Sequence, residues 1–257
     1  FYLVVFIGVA GIFYGFIRFR FKRVAESNEK DKLRYKSKLL VLEQQSMNAS
    51  MNRHFIFNSL NSIQYFINTQ DRFSANKYLT SFAKLIRKNL DSATSPDNMI
   101  SLEDELERIQ LYLSLESMRF KDRFDYEINV EGVDLESEMI PAMLMQPFIE
   151  NSIIHGILPN EDKKGLITIN ISIQNDFLEI LIQDNGIGIQ HSLSKKTSMD
   201  GDHRSQGMEI TSKRIELIQK ISDNDISLIG PTELKGNDGL INGTSVLLKI
   251  PCENLVD

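Results

Sequence analysis

The sequence predicts an α + α/β protein: a helical hairpin of a dimerisation bundle, then an α/β sandwich, both preceded by the end of a transmembrane helix. Three observations predict this. Residues 1–17 carry no charge, apolar or small residues between 35 and 67 recur at alternating spacings of four and three, and apolar residues alternate beyond residue 120. These patterns are typical of a membrane segment, a coiled-coil seam and β-strands. We expect boundaries at 1–17 (membrane helix), 18–44 (juxtamembrane helix), 45–119 (dimerisation helices) and 120–257 (sandwich).

The composition excludes some classes of function. The 257 residues suffice for roughly two domains. A net charge of -6 argues against a nucleic-acid-binding surface, which would need a concentrated basic face. The single cysteine, Cys252, excludes internal disulfides and a four-thiolate metal site.

The first segment predicts a membrane anchor. A helix of residues 1–17 would be about 25 Å long, slightly less than a ~30 Å hydrocarbon core, and no methionine begins it. We therefore expect the end of a spanning helix that starts before Phe1; a buried core helix is the alternative. Basic residues follow at Arg18, Arg20, Lys22 and Arg23. The positive-inside rule then predicts an inner (cytoplasmic) membrane location, with the rest of the chain in the cytoplasm.

Two helices should follow the anchor. Residues 24–69 contain no Pro or Gly and predict one long helix. A second amphipathic helix is predicted over 72–93, and the short turn between them predicts an antiparallel hairpin. Since one hairpin cannot bury both apolar faces, we expect a homodimeric four-helix bundle. The apolar face of the second helix comprises Phe73, Tyr78, Leu79, Phe82, Leu85, Ile86 and Leu90.

A third helix is predicted from Ser101 to about Arg119. Ser101 is its expected N-cap, with Asp104 in place of the usual Glu of a capping box. We interpret its charged residues as a solvated face; they are Glu103, Glu105, Glu107 and Arg108.

The second domain should be a mostly antiparallel sheet with helices on one face. Strands are predicted at 124–130, 166–173, 177–182 and 244–250, and the Asn175-Asp176 link makes the middle two a hairpin. Pro141 should open a helix that runs to about Ile154. A loop over 189–206 and a helix over 208–221 should precede the last strand.

Three blocks of the chain carry candidate functional residues. The first, residues 52–61, places His54 beside the seam and Asn58 one helical turn further along. The second, residues 146–156, places Glu150, Asn151 and His155 on a helix whose other side is apolar. Polar groups on a largely buried helix need partners, in the protein or in a ligand.

The third block is an acid at a strand end followed by two glycines: Asp184, Gly186 and Gly188. Glycines there let the backbone approach a ligand closely, although the block by itself could be a simple turn. No G-x-x-x-x-G-K-[ST] sequence occurs, so a P-loop is excluded.

Together and in this order, the blocks resemble the LytS-like sensor histidine kinases of the GHKL ATPase superfamily. That family's patterns are N-P-H-F-[IL]-F-N-x-L-N, Q-P-[LF]-[VI]-E-N-[AS]-[IV]-x-H-G and D-N-G-x-G. The resemblance covers about residues 45–250. It implies a GHKL-type ATP-binding sandwich and a kinase that autophosphorylates a histidine from Mg-ATP. It also implies transfer of the phosphoryl group to an aspartate in the receiver domain of a response regulator.

The resemblance also implies residue roles. His54 would be the phosphorylated histidine. From its position one turn from His54, we expect Asn58 to assist dephosphorylation of the regulator. Asn151 would coordinate Mg²⁺ bridging the ATP phosphates, with Glu150 and His155 lining the site. Asp184 would accept a hydrogen bond from the adenine amino group. The remaining cofactor-binding positions would be Gly186, Gly188, Gly207 and Arg214.

The sequence departs from the family pattern at several positions. Arg53 replaces the usual proline, Ser205 stands where a glycine is common, and Ile210 stands where an asparagine is common. Phe55 follows His54, so no acidic proton acceptor is evident there. Two alternatives stay open: a GHKL clamp ATPase in which His54 takes no part, and a nucleotide-binding receptor scaffold without phosphotransfer.

Overall fold

A computed structural model describes residues 18–20, 23, 55–93, 99–189, 226–236 and 241–252. Among these residues, no helix is long and apolar enough to cross a membrane. The chain divides into two compact units, 1–46 and 47–257. The predicted membrane and juxtamembrane segments lie almost wholly outside the described residues, as do the predicted loop at 190–206 and helix at 208–221. The architecture below is that of the second unit.

The helical part begins with an antiparallel hairpin, as predicted. Helix α1 covers the described residues 55–68, and α2 runs over Arg72–Ala93. Ring contacts between Phe55 and Phe82, and between Phe66 and Tyr78, join the two helices. The face of α1 that meets α2 includes Phe55 and Ser59, one residue before the predicted seam positions Ile56 and Leu60.

Part of the predicted apolar face of α2 is exposed in this single chain. Tyr78 and Leu85 are buried, but Phe73, Leu79 and Leu90 are exposed. On α1, Phe57, Leu60 and Ile67 are exposed as well. The hairpin and α3 together therefore cover only one side of the hairpin's apolar surface.

Helix α3, Leu102–Arg119, follows the short strand β1, Met99–Ser101. Ser101 caps α3 as predicted, because its hydroxyl accepts the Asp104 amide hydrogen at 3.1 Å. The interpretation of its charges as a solvated face was wrong for two residues. The side chains of Glu105 and Arg108 are almost completely buried and form an ion pair at 3.0 Å. Burial is possible because each charge has a partner.

The sandwich contains a five-stranded sheet in the order β2-β4-β5-β7-β6. Strands β2 and β4 are parallel, and the other neighbours are antiparallel, which confirms a mostly antiparallel sheet. The link between β4 and β5 is the predicted hairpin: Asn175 and Asp176 both have positive φ, as two-residue hairpin turns require. The strands are β2 Phe124–Glu131, β4 Gly165–Gln174, β5 Phe177–Asp184, β6 Ser227–Lys235 and β7 Ile241–Pro251.

The helix of the sandwich differs from its predicted form. Pro141 does not open it but ends strand β3, Met139–Pro141, which pairs with β1. The helix α4 instead begins five residues later and covers Gln146–Asn151, with a proline in its first turn. It continues directly as a π-helix, Ser152–Ile157. This continuous element packs Ile149, Ile153 and Ile157 on one face of the sheet, in the core shared with β4, β5 and β7.

Candidate nucleotide-binding site

Asp184, the last residue of β5, is the centre of the site. This residue is buried, with 3% of its surface exposed to solvent. The carboxylate accepts hydrogen bonds from the Ser152 hydroxyl at 2.9 Å, from the Gly186 amide at 2.9 Å and from the Thr244 hydroxyl. These donors come from the π-helix, the loop after β5 and strand β7. A buried carboxylate thus joins the three parts of the chain that surround it, by charge-assisted bonds.

Gly186 is required by the contact between the loop and the π-helix. A Cβ atom at Gly186 would lie 2.3 Å from the backbone carbon of Gly156, and one at Gly156 would lie 2.8 Å from Oδ1 of Asp184. The Ile187 amide donates to the Gly156 carbonyl at 3.0 Å. The two glycines therefore let the loop and the helix pack backbone against backbone beside Asp184.

Gly188 has a different reason to be glycine. Its φ is +78°, and a Cβ there would lie 2.2 Å from Cγ2 of Ile241 at the start of β7. Since an L side chain rarely adopts this φ, the turn depends on glycine. The loop over Asp184, Gly186 and Gly188 is therefore a close-packed turn, in which contacts within the protein explain both glycines.

Gly243 and Thr244 belong to the site but were not among the predicted residues. A Cβ at Gly243, where φ is +135°, would lie 1.7 Å from the Asp184 carbonyl oxygen. This close approach places the next residue, Thr244, where its hydroxyl reaches the Asp184 carboxylate. The available signal was the Gly-Thr pair near the start of the last strand, which the sequence analysis treated as a strand boundary. Ser152 was likewise missed as a partner of Asp184.

Asn185 has a structural function within the D-N-G turn. Its Oδ1 accepts the Leu166 amide hydrogen at 2.8 Å, and its Nδ2 donates to the Lys164 carbonyl at 3.4 Å. These bonds hold the turn against the beginning of β4, and Asn185 is thereby directed away from Asp184.

The predicted residues of the helix are partly assembled at this site. Glu150 is half-buried, and its Oε1 accepts a hydrogen bond from Nε2 of Gln146 at 2.7 Å. Asn151 and His155 are also half-buried. The helix reaches the strand end through the bond between Ser152 and Asp184. Glu150, Asn151, His155, Asp184, Gly186 and Gly188 therefore occupy the two elements that meet there.

The residues present suit a magnesium nucleotide. Carboxylate and amide oxygens are the ligands that Mg²⁺ prefers, and the ion usually keeps several waters and takes phosphate oxygens from its substrate. Within the described part of the chain, no cluster of three or more His, Cys, Asp or Glu side chains forms a self-sufficient metal site. A nucleotide-dependent magnesium site needs no such cluster, since Asn151 could contribute one oxygen.

The structure describes only part of the block that contains the predicted phosphoacceptor, residues 55–61 of 52–61. His54 lies outside the described residues, as do Gly207 and Arg214. Asn58 is half-buried on α1, and its backbone carbonyl accepts the Ser62 hydroxyl hydrogen at 3.0 Å. Phe55, which follows His54, is buried with its ring centroid 5.5 Å from that of Tyr112 on α3.

Helix α3 lies between α1 and α4. Burial raises the pKa of Tyr112 well above its usual value of 10.0, and the negative charge of Glu150 raises it further. Tyr112 is thus in contact with Phe55 and electrostatically close to Glu150. The arrangement connects the helix that follows His54 to the helix that carries Asn151.

A cavity of about 360 Å³ also borders the end of β5. Apart from Asp184, its lining residues were not predicted as functional: Leu166, Thr168, Gln183, Asn185, Leu234, Lys235 and Asn242. Leu166, Thr168 and Gln183 alternate with the core residues of β4 and β5. The cavity therefore opens mainly on the sheet face opposite α4, and Asp184 is the residue that it shares with the predicted nucleotide site.

Comparison with known proteins identifies similar chains. Residues 42–124 match the family model of the histidine kinases. The sensor protein LytS of Staphylococcus epidermidis is 35% identical over 147 residues, covering 57% of this chain and 24% of that protein. LytS of Oceanobacillus iheyensis is 30% identical over 213 residues, covering 81% of this chain and 34% of that protein. The chain thus spans about a quarter to a third of the length of these relatives.

A solved structure of the histidine kinase ThkA in complex with the response regulator protein TrrA is also similar. It is 16% identical, and the alignment covers 85% of this chain and 66% of that one with a TM-score of 0.37.

Proposed function

The chain is related to the LytS-like sensor histidine kinases, and from that premise we propose that it autophosphorylates His54 from Mg-ATP. It then transfers the phosphoryl group to an aspartate in the receiver domain of a response regulator. The observation that carries the proposal is the buried Asp184 carboxylate. It is held where the π-helix meets the loop that contains Gly186 and Gly188.

Asp184 is suited to bind an amino group of a nucleotide base. An ionised carboxylate has about four lone-pair sites. The hydroxyls of Ser152 and Thr244 both donate to Oδ2, whereas the Gly186 amide donates to Oδ1. Oδ1 thus retains acceptor capacity, and the protein donors keep the carboxylate oriented. An adenine amino group is the donor that the family resemblance implies.

In this proposal the phosphates of the nucleotide lie near Asn151. Transfer of the γ-phosphoryl group needs charge neutralisation and in-line positioning of the nucleophile. In this proposal Asn151 coordinates Mg²⁺, while Glu150 and His155 line the same site. Gly186, Gly188 and Gly207 let backbone pass close to the nucleotide, and Arg214 contributes a positive charge. When bound, Mg²⁺ neutralises the negative charge that develops on the phosphate oxygens.

His54 is suited to be the nucleophile, because an imidazole nitrogen attacks only when it is neutral. With the usual pKa of about 6.5, an imidazole is mostly neutral at the pH of the cytoplasm. Asn58, one turn further along the helix, is proposed to assist dephosphorylation of the regulator. The test is the rate of regulator dephosphorylation with an Asn58→Ala protein, and an undiminished rate would exclude this function.

We also propose that the protein acts as a membrane-anchored homodimer. Support for the dimer comes from the exposed apolar residues of the hairpin, Phe57, Leu60 and Ile67 on α1 and Phe73, Leu79 and Leu90 on α2. A second hairpin would remove this surface from water. The uncharged residues 1–17 and their basic flank support the proposed anchor, with the kinase region on the cytoplasmic side of the inner membrane.

The experiment is incubation with γ-labelled ATP and Mg²⁺, followed by measurement of acid-labile label on the protein. We expect label on the wild type and none on His54→Gln, whereas His191→Gln keeps it. Asn151→Ala should lose label, whereas Asn129→Ala, an exposed asparagine of β2, should not. ATP turnover without label would indicate a clamp ATPase, and nucleotide binding without either activity would indicate a receptor scaffold. Either result would overturn the proposal.

A further inference from the structure

The side chain of Glu105 on α3 is fully buried and binds the backbone in front of α4. Its Oε2 accepts the Met143 amide hydrogen at 3.0 Å, and its Oε1 accepts the Met145 amide hydrogen at 3.3 Å. Arg108, one turn along the same helix, donates to Oε2 at 3.0 Å. One carboxylate therefore receives three hydrogen bonds, two of them from a segment 38 and 40 residues away.

The bound segment determines where α4 begins. Met143 has a φ of +61°, a conformation that is unfavourable for a residue with a side chain unless its surroundings hold it. Met145 is the N-cap of α4, and its side chain makes no capping hydrogen bond. Because the first amides of a helix lack intrahelical partners, a carboxylate at this end stabilises the helix start. Glu105 supplies this carboxylate from another helix.

Arg108 extends the connection to the helical hairpin. Its side chain is 2% exposed, and its Nη2 donates to the Lys88 carbonyl of α2 at 3.3 Å. Its Nε has no hydrogen-bond partner among the described residues. A buried ion pair with an unsatisfied N–H is a poor source of stability, and an apolar pair of similar volume is often as stable. The ion pair is therefore better explained by the backbone segments that it holds in position than by a contribution to the free energy of unfolding.

Resting on the proposed function, we propose that Glu105 is a positioning residue for the nucleotide site and that Arg108 couples it to the phosphoacceptor hairpin. Glu105 holds the start of α4, which carries Glu150 and Asn151 four and five residues further along. Arg108 ties Glu105 to the end of α2, in the hairpin whose first helix follows His54. Nucleotide binding then depends on Glu105, and delivery of phosphate to His54 depends on both residues.

The two residues should have separable effects. Glu105→Gln loses the negative charge and one acceptor, so the start of α4 is released. We expect its dissociation constant for ATP to rise about tenfold, as for other residues that orient metal ligands. Arg108→Lys keeps a positive charge beside Glu105 but loses the second donor to the Lys88 carbonyl. We expect its dissociation constant for ATP to stay within about twofold of wild type while the rate of His54 labelling falls about tenfold.

The experiment uses the full chain. The dissociation constant is measured with a fluorescent ATP analogue and Mg²⁺, the labelling rate with γ-labelled ATP, and folding by circular dichroism. Glu103→Gln is the matched control, because Glu103 lies exposed on the same helix. If Glu105→Gln does not fold, Glu105→Asp replaces it, since it keeps the charge but shortens the reach, and the same rise in dissociation constant is expected.

The results that overturn the proposal are specific. A folded Glu105 variant with the dissociation constant of the Glu103→Gln control would exclude positioning. A lower melting temperature with unchanged affinity of the folded protein would show that Glu105 is only structural. An equal loss of ATP affinity and labelling rate in Arg108→Lys would exclude the separate coupling. If the wild type binds the analogue but takes up no label, the kinase function fails, while the affinity comparison still decides the function of Glu105.

Discussion

The Thr244 hydroxyl donates to the carboxylate of Asp184, across 60 residues of sequence. The two residues stand opposite each other in neighbouring strands, Asp184 at the end of β5 and Thr244 near the start of β7. The carboxylate predicted to accept a hydrogen bond from adenine is therefore oriented by a residue of β7, a strand that carries no predicted site residue.

The first prediction concerns this hydroxyl. Thr244→Val preserves the shape of the side chain but removes a donor from a buried carboxylate. We expect weaker binding of the fluorescent ATP analogue, by roughly tenfold, since a hydrogen bond to a charged group contributes about 1.5–3 kcal/mol. Thr244→Ser keeps the hydroxyl and should retain affinity within about twofold. Equal affinities of the Val and Ser variants would show that the bond does not orient Asp184.

The second prediction concerns the contact between the loop and the π-helix. Gly186→Ala places a Cβ 2.3 Å from the Gly156 backbone, so the loop must move. We expect a loss of about 1–3 kcal/mol in the free energy of unfolding and weaker ATP binding. The atoms nearest to the added Cβ are backbone atoms of Gly156, which cannot turn aside as a flexible side chain could. The measurement is urea denaturation, with Gly132→Ala as control. A Cβ at Gly132, where φ is +65°, meets nothing within 4 Å, so only the strain of its φ, about 1 kcal/mol, is expected.

The third prediction concerns the exposed side of the hairpin. Leu60 is 50% exposed in the single chain, and we expect it to be covered in a dimer. Leu60→Glu should shift the protein from dimer to monomer in size-exclusion chromatography with light scattering, while circular dichroism stays unchanged. Val130→Glu adds the same charge at an exposed residue of β2 and should leave the dimer intact. Dimerisation that survives Leu60→Glu, Phe57→Glu and Leu90→Glu would place the interface elsewhere.

The fourth prediction concerns pH. Burial raises the pKa of the Glu116 carboxyl above its usual 4.5, although the nearby Arg119 guanidinium opposes part of this shift. The folded state therefore binds the proton more tightly than the unfolded state. Between the usual pKa and the higher folded pKa, the folded state carries more protons, so the free energy of unfolding falls as pH rises through that window.

Glu116→Gln should remove this part of the pH dependence. Urea denaturation of wild type and variant from about pH 4.5 upward would show the variant gaining stability relative to the wild type as pH rises. A constant difference between Glu116→Gln and wild type across the window would contradict the raised pKa.

Much of the fold follows from local patterns, and its exceptions have physical causes. Alternation revealed β2, β4, β5 and most of β7, because each has one face on the core. Strand β6 escaped recognition because it is largely exposed and contains Gly230 and Pro231, which are typical of loops. The three-residue strands β1 and β3 are too short to show a period, and Pro141 therefore resembled a helix start.

The site was predictable to the extent that it lies in contiguous blocks. Asp184 and Ser152 belong to two such blocks, but the bond between them depends on the packing of helix on sheet. Thr244 and Glu105 act across long sequence separations, and nothing in their neighbours indicates a buried partner. The burial of Glu105 and Arg108 is a tertiary feature, because charged residues three apart on a helix are compatible with a solvated face as well as with a buried ion pair.

The π-helix over Ser152–Ile157 has a consequence for comparing relatives. In such a turn the Leu158 amide reaches back five residues to the Ile153 carbonyl. The wide turn is equivalent to one inserted amino acid, so deleting a single position there would restore α-helical winding and rotate everything after it. A relative one residue shorter in this stretch would direct a different side chain towards the strand end, even if every letter of its motif were unchanged.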